Sequence, residues 1–183
     1  MKIAILALQG AFEEHRQMLL KICVESFFVR NLADYQQEKD ALIIPGGEST
    51  TILKLLKDLS LYEPVRTGII NGLPVFGTCA GLIMLDGGHL GSMNIEVRRN
   101  AYGRQLGSFH VEGRFEGIDH EIPMTFIRAP YITKVGGGVE VLAKVDGNIV
   151  AARQDKQLVT AFHPELNDDT SVHEYFLKMA GGR

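Results

Sequence analysis

The chain has 183 residues, of which 45% are hydrophobic and 22% charged, and its formal net charge is −3. It therefore reads as one domain over residues 1–183 with one core. This balance leaves no basic footprint for nucleic acid, and no apolar run approaches the roughly 20 residues of a membrane span. The opening run Lys2 to Leu8 is nearly all apolar, as befits a strand buried on both faces. It meets Gly10 and an acidic helix start rather than a cleavage site, so no export signal is read and the protein is expected in the cytosol.

A helix is predicted over Phe12 to Cys23, with Met18, Leu19, Ile22 and Cys23 at helical spacing. Strands follow at Ser26 to Val29 and Ala41 to Ile44, the latter stopped by Pro45-Gly46-Gly47. Ser49 to Leu59 reads as an amphipathic helix with Ile52, Leu55, Leu56 and Leu59 on one face, and Glu63 to Ile70 as another. Leu73 to Phe76 is a fourth strand, and Ala80 to Leu85 resumes as helix. Such alternation argues for a parallel sheet flanked by helices. From Asn94 onward the pattern changes to short strand-like runs between Gly-rich turns. Asp146-Gly147 between Val139–Val145 and Ile149–Arg153 is a hairpin signal. Gln157 to Phe162 is a further strand. A last helix spans Ser171 to Ala180, with Ser171 and Glu174 as a capping box, and the tail Gly181-Gly182-Arg183 is expected to fray.

Two cysteines are present, Cys23 and Cys79. A disulfide between them is not expected in a reducing compartment, and neither has metal-ligand spacing; no metal and no cofactor are expected. Cys23 lies on an apolar helix face and reads as structural. Cys79 differs, because Gly77-Thr78-Cys79-Ala80-Gly81 places a nucleophile between glycines at a strand-to-helix turn. Such an elbow strains the backbone, lifts the thiol clear of the sheet edge and sets it at a helix start, where thiolate is favoured. The Ala80 N–H is then a candidate oxyanion donor. By itself the pentapeptide is equally compatible with a packing cysteine.

A thiol of this kind needs a base. Of six histidines, His15, His89, His120 and His173 fall in polar helix or loop settings and read as surface residues. His110, on a strand-like run, is harder to set aside. His163 ends the run Leu158 to Phe162, and on an extended chain it shares a side with Glu165. The carboxylate would hold the imidazole in one tautomer, giving a Cys79–His163–Glu165 triad. A second oxyanion donor is expected from the Gly47 N–H in Pro45-Gly46-Gly47-Glu48-Ser49-Thr50. The phosphate-loop patterns are absent.

Several blocks carry a resemblance: Ala7-Leu8-Gln9-Gly10, Pro45 to Thr51, Phe76 to Leu82, Arg99-Asn100-Ala101-Tyr102-Gly103-Arg104-Gln105, Phe126-Ile127-Arg128-Ala129-Pro130 and Phe162-His163-Pro164-Glu165-Leu166. Together they resemble the class I (triad) glutamine amidotransferases, and more closely the glutaminase subunits of pyridoxal 5′-phosphate synthase. The resemblance runs end to end. It implies a flavodoxin-like three-layer α/β sandwich, with a mostly parallel central sheet and an antiparallel region in the C-terminal half. It implies hydrolysis of L-glutamine to L-glutamate and ammonia, with glutamine held at Gly47, Glu48, Ser49, Arg99, Ile127 and Arg128. Within that family the ammonia passes to a separate (β/α)₈-barrel synthase subunit in a hetero-oligomer, and the glutaminase is poorly active until the synthase docks. The Gly46-Gly47 peptide is then the element to be ordered. Two departures bear on the partner surface: Asp86 to Asn94 is short for that family, and Arg98 and His110 stand where acidic residues are common. Two alternatives stay open: the glutaminase subunit of another amidotransferase, such as that of imidazole glycerol phosphate synthesis, and a non-catalytic flavodoxin-like module.

Overall fold

The computed structural model describes residues 1–99 and 107–181. The segment from Asn100 to Gln105 in the Arg-Asn-x-Tyr-Gly-Arg-Gln block, and the tail residues Gly182 and Arg183, lie outside them. The N-terminal half alternates β1 (Lys2–Leu6), α1 (Phe12–Lys21), β2 (Glu25–Val29), α2 (Leu32–Gln36), β3 (Ala41–Ile44), α3 (Ser49–Asp58), α4 (Tyr62–Ile70), β4 (Val75–Thr78) and α5 (Ala80–Leu85). Six more strands precede the last turn of sheet and the final helix: β5 (Ile95–Arg98), β6 (Ser108–Arg114), β7 (Glu121–Ile127), β8 (Tyr131–Val135), β9 (Val139–Val145) and β10 (Asn148–Gln154). Then come β11 (Gln157–Thr160), a 3₁₀ turn (Pro164–Leu166) and α6 (Ser171–Met179).

Strands β2-β1-β3-β4-β11 pair in parallel, in the order of a flavodoxin-like sheet. The sheet continues through β10, β8 and β5 in antiparallel pairing, with β9 also on β10. A separate hairpin, β6-β7, pairs Ser108 with Ile127 through Arg114 with Glu121. Strands β1, β3, β4 and β11 are buried on both faces, which is why β1 past Lys2 and β3 read as continuous apolar runs. Right-handed crossovers from β1 to β2 and from β3 to β4 run in opposite directions, so α1 and α3 cover opposite faces. On the α1 side, α6 joins through His15, His173 and Phe176, with Phe76 of β4 between them.

Some expectations shift. The β4 strand spans Val75–Thr78 rather than Leu73–Phe76. Gly77 and Thr78 have weak strand character, but they pair with Val159 and Thr160 of the buried β11. Helix α2 was not foreseen; it has only five residues and is fixed by Asn31, whose side chain accepts the Asp34 N–H. Cys23 is exposed, with φ +57, just past the end of α1, because the chain turns there toward β2. It is therefore not the buried helix residue expected. Ser171 does not cap α6: Thr170 is the N-cap residue, and the Ser171 N–H donates to Asp169. The Asp146-Gly147 turn stands as read, both residues having positive φ between β9 and β10.

Candidate active site

Three adjacent parallel strands end at the same edge. β3 runs into Pro45-Gly46-Gly47, β4 into Cys79, and β11 through Ala161 and Phe162 into His163. The carboxyl ends of such strands are where open α/β sheets place ligand sites. A cavity of about 600 Å³ opens there, lined among others by Gly47, Glu48, Ser49, Cys79, Ala80 and His163.

Cys79 sits at φ +49, ψ −101, a conformation that only the surrounding structure can hold in a residue with a side chain. Its N–H donates to the Thr160 carbonyl at 2.8 Å, which ties the turn to β11. The elbow glycines are required by contact: a Cβ on Gly77 would meet the Gly81 carbonyl at 2.6 Å, and one on Gly81 would meet Ile44 O at 2.0 Å. The thiol is 7% exposed and lies 3.9 Å from the Ile127 carbonyl oxygen.

His163 Nδ1 and Glu165 Oε1 are 2.6 Å apart and both side chains are buried. The expected pairing is present, but its geometry is not that of a strand. β11 ends at Thr160 and Glu165 lies in the 3₁₀ turn opened by Pro164, which curls the carboxylate back under the imidazole. Burial opposes the imidazolium. Hydrogen bonds with the Cys79 thiol and with Glu165 outweigh it and push His163 up to about 10.

The Gly46-Gly47 loop is held from two sides. The Gly46 N–H donates to Thr78 Oγ1 at 3.0 Å, and the Gly46 carbonyl accepts from Ala11 N–H at 3.0 Å. Because the peptide is planar and trans, the Gly47 N–H points opposite to that carbonyl. Gln9 Oε1 accepts the Glu48 N–H at 2.7 Å. Gln9 also lines the cavity; among the sequence blocks only Ala-Leu-Gln-Gly pointed to it.

The six positions expected to hold glutamine converge on this cavity: Gly47, Glu48, Ser49, Arg99, Ile127 and Arg128 all line it. Arg128 has φ +45 and its N–H donates to the Gly107 carbonyl at 2.6 Å, which turns the chain out of β7. Arg99 Nη2 lies 2.7 Å from His89 Nε2, and His89 Nδ1 lies 2.6 Å from Asp86 Oδ1. The short Asp86–Asn94 segment thus reaches the rim. Arg98 instead donates to the Tyr131 hydroxyl, and His110 pairs with Thr125 and Glu112 on the exposed hairpin.

Two histidines read as surface residues are fully buried. His15 Nδ1 and His173 Nε2 are 2.9 Å apart, and His15 Nε2 is 3.1 Å from Thr78 Oγ1. Burial pushes His15 well below its ordinary value, aided by neighbouring His173 and His163, and burial alone takes His173 to about 3. The signal was present in the spacing. His15 stands three, four and seven residues before Met18, Leu19 and Ile22, and His173 stands three before Phe176, so both lie on the apolar stripes of their helices.

The family model described as "SNO glutamine amidotransferase family" matches residues 5–181. The pyridoxal 5′-phosphate synthase subunit PdxT of Methanocorpusculum labreanum is 58% identical over 188 residues, covering 100% of this chain and 99% of that one. The PdxT subunit of a Streptococcus pneumoniae strain is 56% identical, with 98% and 97% covered. A crystal structure described as a glutamine amidotransferase superposes with a TM-score of 0.91 at 42% identity, covering 98% of each chain. A family match across almost the whole chain and relatives of this identity lead to one conclusion: the chain belongs to the SNO glutamine amidotransferase family.

Proposed function

We propose that this chain is the glutaminase subunit of a pyridoxal 5′-phosphate synthase, acting as one unit over its 183 residues. It hydrolyses L-glutamine to L-glutamate and ammonia and supplies that ammonia to a (β/α)₈-barrel synthase subunit in a hetero-oligomer in the cytoplasm. The observation that carries the chemical part is the strained Cys79 elbow with the His163–Glu165 pair against it, at the floor of a cavity rimmed by Glu48, Arg99 and Arg128.

The Cys79 sulfur, as thiolate, attacks the side-chain amide carbon of glutamine. The oxygen takes the negative charge and is met by the N–H groups of Ala80 and Gly47. His163 carries a proton at neutral pH. It gives that proton to the nitrogen as the C–N bond breaks, so ammonia leaves and a glutamyl thioester remains. Water then attacks the thioester carbon, returns a proton to His163 and releases glutamate from the sulfur. Glu165 keeps the Nδ1 proton in place and stabilises the imidazolium charge. At the rim, Arg99 and Arg128 suit the α-carboxylate of glutamine, and Glu48 its ammonium.

Glutamate release from glutamine, measured with and without the synthase subunit, tests this reading. Release should rise with the synthase and vanish in Cys79→Ala, while added ammonium still supports pyridoxal 5′-phosphate formation. Stimulation only by the synthase of imidazole glycerol phosphate formation would overturn the choice of partner. Turnover that survives Cys79→Ala would overturn the nucleophile.

A further inference from the structure

Behind the triad lies a dry polar chain that the proposed chemistry does not use. His15 of α1 reaches beneath the sheet edge, with no exposed surface. Its Nε2 is 3.1 Å from Thr78 Oγ1 and 3.6 Å from Glu165 Oε2. Among the described residues, Glu165 Oε2 is buried with no hydrogen-bond partner, and so is His173 Nδ1. Thr78 Oγ1 also accepts the Gly46 N–H. One imidazole therefore touches Thr78, which both precedes the nucleophile and anchors the oxyanion loop, and the free oxygen of the carboxylate that steadies His163.

The tautomer follows from which groups are left unpaired. With the proton on Nε2, His15 donates to Thr78 and turns its N–H dipole toward Glu165 Oε2. Its bare Nδ1 accepts from His173 Nε2–H, which leaves His173 Nδ1 as an unpaired acceptor and, because Thr78 Oγ1 then accepts from both His15 and Gly46, the Thr78 hydroxyl proton without a partner. With the proton on Nδ1, a bare Nε2 faces the carboxylate oxygen and His173 Nδ1–H becomes a buried orphan donor. Each arrangement leaves one orphan donor, the Thr78 hydroxyl in the first and His173 Nδ1–H in the second, so the carboxylate decides: an N–H turned toward the unpaired Glu165 Oε2 is favoured over a lone pair, and the first arrangement holds. Burial keeps the ring neutral, which rules out reading the 3.6 Å contact as an ion pair.

We propose that His15 is a positioning residue: as the neutral Nε2–H tautomer it fixes the Glu165 carboxylate and, through Thr78, locks the oxyanion loop to the triad. The proposal rests on the assignment of Glu165 as orienter of His163. At 3.6 Å the Glu165 contact is longer than a full hydrogen bond, so its share of the effect is smaller than that of a close charged one.

The test uses the chain in complex with its synthase subunit. His15→Leu puts an apolar side chain in the site and should lower kcat for glutamine about tenfold, the upper end of the range for losing one uncharged hydrogen bond, with KM within about twofold. His15→Gln, which can return an N–H near the Nε2 position, should recover most of that loss. In a Glu165→Gln background, His15→Leu should cost less than about threefold more, because the two act as a unit. A loss of the same size in both backgrounds, or an unchanged kcat in His15→Leu, overturns the proposal. Glu165→Gln alone separates the two ideas: if it leaves kcat intact, the triad reading has failed instead. A ¹⁵N spectrum of the histidine-labelled wild-type protein stands whatever the variants do. It should show His15 neutral with its proton on Nε2, and a proton on Nδ1 would overturn the inference.

Discussion

On the floor of the cavity, Cys79, His163 and Glu165 are each no more than 7% exposed, and each is fixed by backbone strain, a hydrogen bond or a buried neighbour. On the rim, Glu48, Arg99 and Arg128 stand in solvent, on the loop after β3, at the end of β5 and just past β7. The floor grows from the parallel strands β3, β4 and β11, whereas the Arg rim grows from the antiparallel half. Floor and rim divide the labour of the proposed reaction. In the proposed mechanism the groups that meet developing charge are dry and immobile, so that their dipoles need no reorganisation. The groups proposed to receive the charged end of glutamine are wet, and the contribution expected of them to binding is correspondingly modest.

Cys79, the proposed nucleophile, gives the most severe test of this division. Cys79→Ala should lower kcat/KM by at least about 10⁴-fold while leaving glutamine binding near that of the wild type, as expected for a group that acts only on the reacting atoms. Isothermal titration of the variant with glutamine checks the second half. Gly46→Ala comes next. A Cβ there would stand 2.4 Å from His163 Cε1 and 3.2 Å from Cys79 Cβ. Misplacing the base by such a clash should cost about 100-fold in kcat/KM, with the circular dichroism spectrum unchanged.

The dry floor also makes a prediction about acid. His173 is held at about 3, far below the roughly 6.5 of an unfolded histidine. A depressed value means that the unfolded chain takes up the proton first. The stability this group contributes is therefore complete above pH 6.5 and is lost as pH falls toward 3. The loss should reach about 1 kcal/mol for each pH unit below 6.5. His163 has the opposite sign. Its value is raised to about 10, so its contribution is complete below pH 6.5 and is lost as pH rises through 10. Urea midpoints across pH 4 to 8 should fall less steeply on the acid side in His173→Leu than in the wild type.

On the rim, Arg128→Ala should raise KM for glutamine about tenfold and change kcat less than about twofold, the pattern of lost uniform binding. A kcat loss as large as the KM change would place Arg128 with the floor.

The sequence shows the floor's chemistry more readily than its support. Gly77 to Gly81 announces an elbow because only glycine tolerates contacts at 2.0 to 2.6 Å, and β3 is legible because Ala41 to Ile44 is apolar without interruption. The spacing of His163 and Glu165 shows their pairing but not its geometry, since a 3₁₀ turn and a strand can both bring residues two apart together. His15 and His173 were hidden because a lone histidine in a helix with charged neighbours looks exposed; only the stripe it shares with Met18 and Leu19 tells otherwise. The Arg99–His89–Asp86 chain had no local signal, as its members meet across ten residues of loop and strand.

That chain gives the smallest expected effect and the finest test of the boundary between floor and rim. The Arg99 guanidinium has only donors, so the His89 Nε2 it meets at 2.7 Å must be the bare, accepting nitrogen. His89 then carries its proton on Nδ1 and donates it to Asp86 Oδ1 at 2.6 Å. His89→Leu removes the acceptor and leaves Arg99 its reach but not its direction. Because Arg99 is exposed, water screens what is lost, and KM for glutamine should rise only about threefold with kcat unchanged. His89→Gln, whose amide oxygen is again an acceptor, should return KM toward the wild-type value. A fall in kcat instead would mean that the order of the rim is felt by the reacting atoms and that the two regions are coupled through Arg99.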